Sequence, residues 1–131
     1  MFALDTNAVI HYFKGKGRVS ERLLSVSPQE VALPSVVVFE LEVGVLGSPE
    51  RSRRQQQLQL LLATVTLLPF GLTEARAAAQ IRVGLEAQGL PIGPLDVLIA
   101  GTALAQRATL VTRNTREFGR VEGLVVENWY D

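Results

Sequence analysis

Phe2-Ala3-Leu4-Asp5-Thr6-Asn7-Ala8-Val9-Ile10 decides the fold. Phe2 to Leu4 reads as a short buried strand. Asp5-Thr6-Asn7 suits a turn and a helix cap, and Ala8 to Phe13 continues as helix until Gly15 and Gly17 stop it. The same succession returns further on. A short helix at Val19–Ser25 leads to a strand at Val31–Leu33, and Pro34-Ser35 then signals a helix start. Short Val- and Leu-rich runs alternating with longer helical patterns are the sequence form of parallel βαβ units, which predicts an α/β protein.

Val36-Val37-Val38-Phe39 has the branched and aromatic content of a strand, so local propensity and punctuation disagree there; helix is the reading adopted. Pro49-Glu50 opens a helix to about Leu62, and Thr64–Leu68 is a strand closed by Pro69. Thr73 caps a helix in which Ala77, Ile81 and Leu85 form the core face and Gly89 ends the run. Pro91 and Pro94 bracket a loop before a helix carrying Leu95, Leu98, Ile99, Thr102 and Ala103 up to Gln106. Strands follow at Thr109–Thr112 and Leu124–Val126.

A chain of 131 residues is the usual size of one domain, so residues 1–131 are read as a single unit. Its 47% hydrophobic and 20% charged content is globular. With no cysteine and one histidine, His11, thiolate and histidine-rich zinc sites are excluded, as is a serine triad on any other histidine. Asp5 interrupts the first apolar run too early for a signal peptide, and no segment has the length of a membrane span, so the cytoplasm is the expected compartment. The formal net charge is zero, which argues against nucleic-acid binding by bulk electrostatics. Any such contact falls to a local cluster: Lys14, Lys16 and Arg18, or Arg51, Arg53 and Arg54, or Arg113, Arg116 and Arg120.

Parallel sheets place their sites at the carboxyl ends of strands. Asp5 and Asn114 each lie just past a strand, Asp96 in the first turn of its helix, and Glu40 later in its own. Singly, Asp5 and Asp96 read as capping acids and Glu40 as a surface residue; Glu42, two positions on, faces elsewhere. Together they would form an all-oxygen site suited to Mg²⁺ or Mn²⁺. Such an ion lowers the pKa of bound water and neutralises a phosphodiester under in-line attack. An Asp after the first strand also begins a haloacid-dehalogenase-type phosphotransferase, but that chemistry needs a second Asp where Asn7 stands. A P-loop is excluded by the lack of a Gly-rich loop ending in Lys-Ser or Lys-Thr.

Four segments in order carry a family likeness: Leu4-Asp5-Thr6-Asn7; Ser35 through Glu40-Leu41 to Gly44; Pro91-Ile92-Gly93-Pro94-Leu95-Asp96 into Ile99-Ala100; and Val111-Thr112-Arg113-Asn114 with Glu117-Phe118, Val121, Gly123-Leu124 and Asn128-Trp129. Over nearly its whole length the chain resembles the VapC-like toxins of the PIN-domain superfamily. The resemblance implies a central parallel sheet of four to five strands with helices on both faces, and Asp5, Glu40 and Asp96 as ligands of Mg²⁺ or Mn²⁺. It implies cutting of structured RNA, often a transfer RNA, inhibition by a small VapB-like antitoxin, and a homodimer. Many relatives carry a fourth acid near position 114, where this chain has an amide. Glu117, three residues on, is the carboxylate that can take its place; without either, one strongly held ion is expected rather than two. The alternative is a catalytically weak module that grips RNA or a protein. Leu58, Leu60, Leu61 and Leu62 fit either a dimer interface or, for most of them, the core.

Overall fold

A strand whose Cβ atoms alternate across the pleat, yet are apolar on both sides, needs cover on both faces. Ala3 and Leu4 of β1 (Phe2–Leu4) have it, both being fully buried. In the computed structural model, which describes residues 1–131, β1 is the centre of a five-stranded parallel sheet ordered β3-β2-β1-β4-β5. Buried like it are β2 (Val31–Pro34) and most of β4 (Thr109–Val111). The edge strands β3 (Thr66–Leu68) and β5 (Val126–Glu127) are more exposed.

Seven helices connect and cover the strands: α1 (Thr6–Lys14), α2 (Val19–Leu24), α3 (Ser35–Leu46), α4 (Arg51–Leu62), α5 (Leu72–Ala87), α6 (Pro94–Ala105) and α7 (Thr115–Phe118). The path from β1 to β2 to β3 runs one way along the sheet, and the step from β3 to β4 reverses it. Right-handed crossovers therefore put α5 and α6 on the face opposite α1 and α2. The buried apolar side chains form one continuous cluster with members from every helix. No helix is long and apolar enough to cross a membrane.

Val36–Phe39 is helical, as the Pro34-Ser35 punctuation predicts: Val36, Val37, Leu41 and Val45 are buried, so tertiary cover outweighs the β propensity of the Val run. Elsewhere the boundaries shift for local reasons. Thr73 does not cap α5; the helix starts at Leu72 behind Gly71, whose N–H donates to the Glu74 carboxylate at 2.8 Å. The second Glu74 oxygen accepts from the Gln106 amide at 3.0 Å, so a buried acid joins the core face with Ala78, Ile81 and Leu85, and Ala77 is only half-buried. β3 begins at Thr66 because the Thr64 hydroxyl and N–H both bond Leu61 O at the end of α4. The last strand is Val126–Glu127, since Leu124 still belongs to a turn in which Gly123 has φ +83° and Leu124 N–H bonds Val121 O. Leu58 and Leu61 are core and Leu62 packs against it, whereas Leu60 is exposed.

Candidate active site

Strand order reverses beside β1: the chain goes from β1 to β2 on one side and returns to β4 on the other, which opens a crevice at the carboxyl edge. Asp5 stands there as the residue after β1, tied to the sheet by its N–H bond to Val111 O (3.1 Å). Its carboxylate caps α1 by accepting from Ala8 N–H at 2.9 Å, so the capping role and a place in the crevice belong to one side chain. Burial raises the Asp5 pKa above the ordinary aspartate range; hydrogen bonds from the Thr112 hydroxyl and Ala8 N–H oppose this, and the Glu40 charge adds to it.

Glu40 arrives from the middle of α3, and the Thr6 hydroxyl donates to its Oε1 at 2.6 Å. Asp96 comes from the first turn of α6, which starts with Pro94 at a position where a missing N–H costs nothing. α3 and α6 pack against each other, and this contact between opposite sides of the topology draws the two acids together. Burial, then the charges of Glu40, Asp5 and Glu117, push the Asp96 pKa up to about 6. Asn114 caps α7 and donates through Nδ2 to Glu117 Oε2 at 3.1 Å. Asp5, Glu40 and Glu117 each raise the Asp96 pKa, and Asn114 is bonded to the last of these. Glu42 is half-buried and contributes to neither the Asp5 nor the Asp96 shift.

All the donors are oxygens, the ligand chemistry of Mg²⁺ or Mn²⁺. No three acidic or histidine side chains are gathered into a ready-made cation site; the acids are linked by the charge repulsion that Asp5, Glu40 and Glu117 exert on Asp96, which a cation between them would relieve.

Three participants escape a reading of the sequence. Thr6 and Thr112 hold Glu40 and Asp5, and the signal available was a hydroxyl beside each strand end. Tyr130 is the third: its buried ring meets His11 edge-on at 4.7 Å between centroids, and the Arg113 guanidinium lies 5.3 Å from its centroid. Burial and the Asp5 charge push the Tyr130 pKa up to about 12, with Arg113 opposing. Among the basic clusters, Arg18 pairs with Glu21 and Arg53 with Glu50 on the surface. Lys14 and Arg54 flank an apolar groove floored by Ile10, Leu41 and Leu58 that opens beside Glu40.

A parallel sheet whose strand order reverses beside β1, with Asp5 at the carboxyl end of that strand, defines a class, that of α/β proteins with their site at a topological switch point. The chain belongs to the PIN-domain family, whose model matches residues 2–124. It is 34% identical over 131 residues to "Ribonuclease VapC2" of Rickettsia felis, with 98% of each chain covered. It is likewise 34% identical over 128 residues to "tRNA(fMet)-specific endonuclease VapC" of Shigella flexneri, covering 98% of this chain and 97% of that one. Among solved structures, DNA-bound VapBC from Salmonella typhimurium superposes with a TM-score of 0.91 at 31% identity, over 98% of this chain and 97% of that one. VapBC2 from Rickettsia felis, bound to a DNA fragment from its promoter, gives 0.89 at 32% identity over 98% of each.

Proposed function

We propose that the chain is a metal-dependent endoribonuclease, the toxin of a toxin–antitoxin pair, cutting structured RNA such as a transfer RNA. The observation that carries this reading is the raised pKa of Asp96: an acid pushed up to about 6 by burial and then by the charges of three other carboxylates is a site that gains from a cation. Asp5, Glu40 and Asp96 are the proposed ligands of Mg²⁺ or Mn²⁺. When bound, such an ion supplies Lewis acidity toward the phosphodiester and a water acidic enough to attack at neutral pH.

The chain's own residues set the geometry. Thr6 fixes the Glu40 carboxylate, and Ala8 N–H with Thr112 fixes that of Asp5, so two of the three acids are oriented before any ligand enters. Asn114 brings no charge; its amide holds Glu117, whose influence on Asp96 supports Glu117 as the fourth acid. The full-length likeness to VapC ribonucleases and VapBC complexes supports the toxin reading and a VapB-like antitoxin that covers the crevice, for which the apolar groove beside Glu40 is a fitting seat. We also propose a homodimer, supported by the exposed apolar residues Phe39, Val43 and Leu46 along α3.

The test is cleavage of bulk transfer RNA with Mg²⁺ present. Asp5→Asn and Asp96→Asn should each lower the rate by more than the roughly 100-fold that marks the upper range for residues around a metal site, with the circular dichroism spectrum unchanged. Wild-type cleavage by either variant would refute the assignment.

A further inference from the structure

We infer that Arg113, laid on the ring of Tyr130, is the cation that grips an RNA backbone phosphate beside the acidic crevice, with Tyr130 as its positioning residue. The inference rests on the ribonuclease reading above and adds the contact by which substrate would be held.

Asp96 and the acids whose charges act on it, Glu40, Asp5 and Glu117, repel a polyanion, and a chain of zero net charge offers no general attraction to offset that. A local cation is needed. Arg18, Arg53 and Arg82 are already paired with Glu21, Glu50 and Glu86. Arg113 is exposed and has no carboxylate at ion-pair distance. Its neighbours in sequence both address the acids: the Thr112 hydroxyl lowers the Asp5 pKa against its burial, and the Asn114 amide bonds Glu117. The ring on which the guanidinium lies also feels the Asp5 charge, which puts Arg113 on the Asp5 side of the molecule.

Tyr130 is built as a fixed support. Its N–H bonds Asn128 Oδ1 at 2.8 Å, and its carbonyl accepts from Arg18 N–H at 3.0 Å. Gly17, at φ +63°, approaches so closely that an added Cβ would sit 3.1 Å from Tyr130 O. The phenol oxygen lies 3.3 Å from His11 Nδ1. Asn7 O, 2.8 Å from that same nitrogen, can only accept, so Nδ1 carries the proton and the phenol oxygen shares it. A ring only 8% exposed is closed to a base of the RNA but offers Arg113 a face. A guanidinium over a ring, with no carboxylate on its N–H groups, keeps those groups for a phosphate.

The test measures binding of fluorescein-labelled bulk transfer RNA in EDTA across a KCl series, beside cleavage of the same RNA in Mg²⁺. Arg113→Ala should weaken binding roughly 10-fold at low salt and flatten the plot of log affinity against log salt by about 0.7 to 0.9, one phosphate contact. Tyr130→Leu should reproduce that loss and add nothing to Arg113→Ala in the double variant, while Tyr130→Phe keeps the ring and the wild-type slope. Arg113→Lys should recover the slope without the full affinity. An unchanged slope in Arg113→Ala, in a protein that otherwise binds and cuts, overturns this inference alone. A wild-type chain that neither binds nor cuts RNA overturns the ribonuclease reading and this inference with it.

Discussion

Asp96 carries a proton more firmly in the folded chain than in the unfolded one, since its pKa rises from 3.8 to about 6. The native state therefore gains stability where this acid is protonated and loses it as pH rises through about 6. Without divalent cations, Asp96→Asn should be the more stable protein at pH 7.5, by about 1–2 kcal/mol once solvent screening of a half-exposed acid is allowed for, and the difference should shrink as the pH falls toward 4. Thermal unfolding of both proteins over that range checks the sign; a variant less stable at pH 7.5 would contradict it. Asp5 and Asp96 are legible in the sequence because each sits beside a local signature, a strand end or a helix start, whereas Glu40, in the middle of α3, and Glu117 gain their place from the family resemblance. Thr6 and Tyr130 are not legible, since Thr6 acts across 34 positions on Glu40 and Tyr130 across 119 on His11, pairings that no periodicity reveals.

At the scale of elements, α5 and α6 form the most extensively packed helix pair in the molecule. The pair depends on Gly101: a Cβ there would lie 2.6 Å from Ala78 Cβ and 2.8 Å from its backbone N and Cα. Alanine improves helix propensity by about 1 kcal/mol, yet this overlap is with a helix backbone and cannot be relieved by a rotamer. Packing should win, so Gly101→Ala is expected to destabilise the protein by at least about 1 kcal/mol in urea unfolding. Sequence reading recovered the order of the long elements and missed the edges of the short ones. β3 and β5 are edge strands with little burial to specify them, and the 64–66 and 121–125 boundaries are set by turn hydrogen bonds. The α3 segment shows the converse, a run of β-branched residues held helical by what covers it.

For the whole molecule, the decisive arrangement is β1 between β2 and β4, with helices arriving from both sides. If the crevice is a cation site, about 10 mM Mg²⁺ should raise the unfolding midpoint of the wild type by several degrees, because a ligand that binds only the native state stabilises it. Asp5→Asn should show no such rise, and an equal rise in both proteins would locate the ion elsewhere. The same arrangement has a consequence in time. Asp5 leaves the ribosome early, but Thr112 and Glu117 are added more than a hundred peptide bonds later, and β4 must slot in beside the first strand before the crevice has its second wall. A nascent chain therefore lacks a complete pocket until translation has passed those residues.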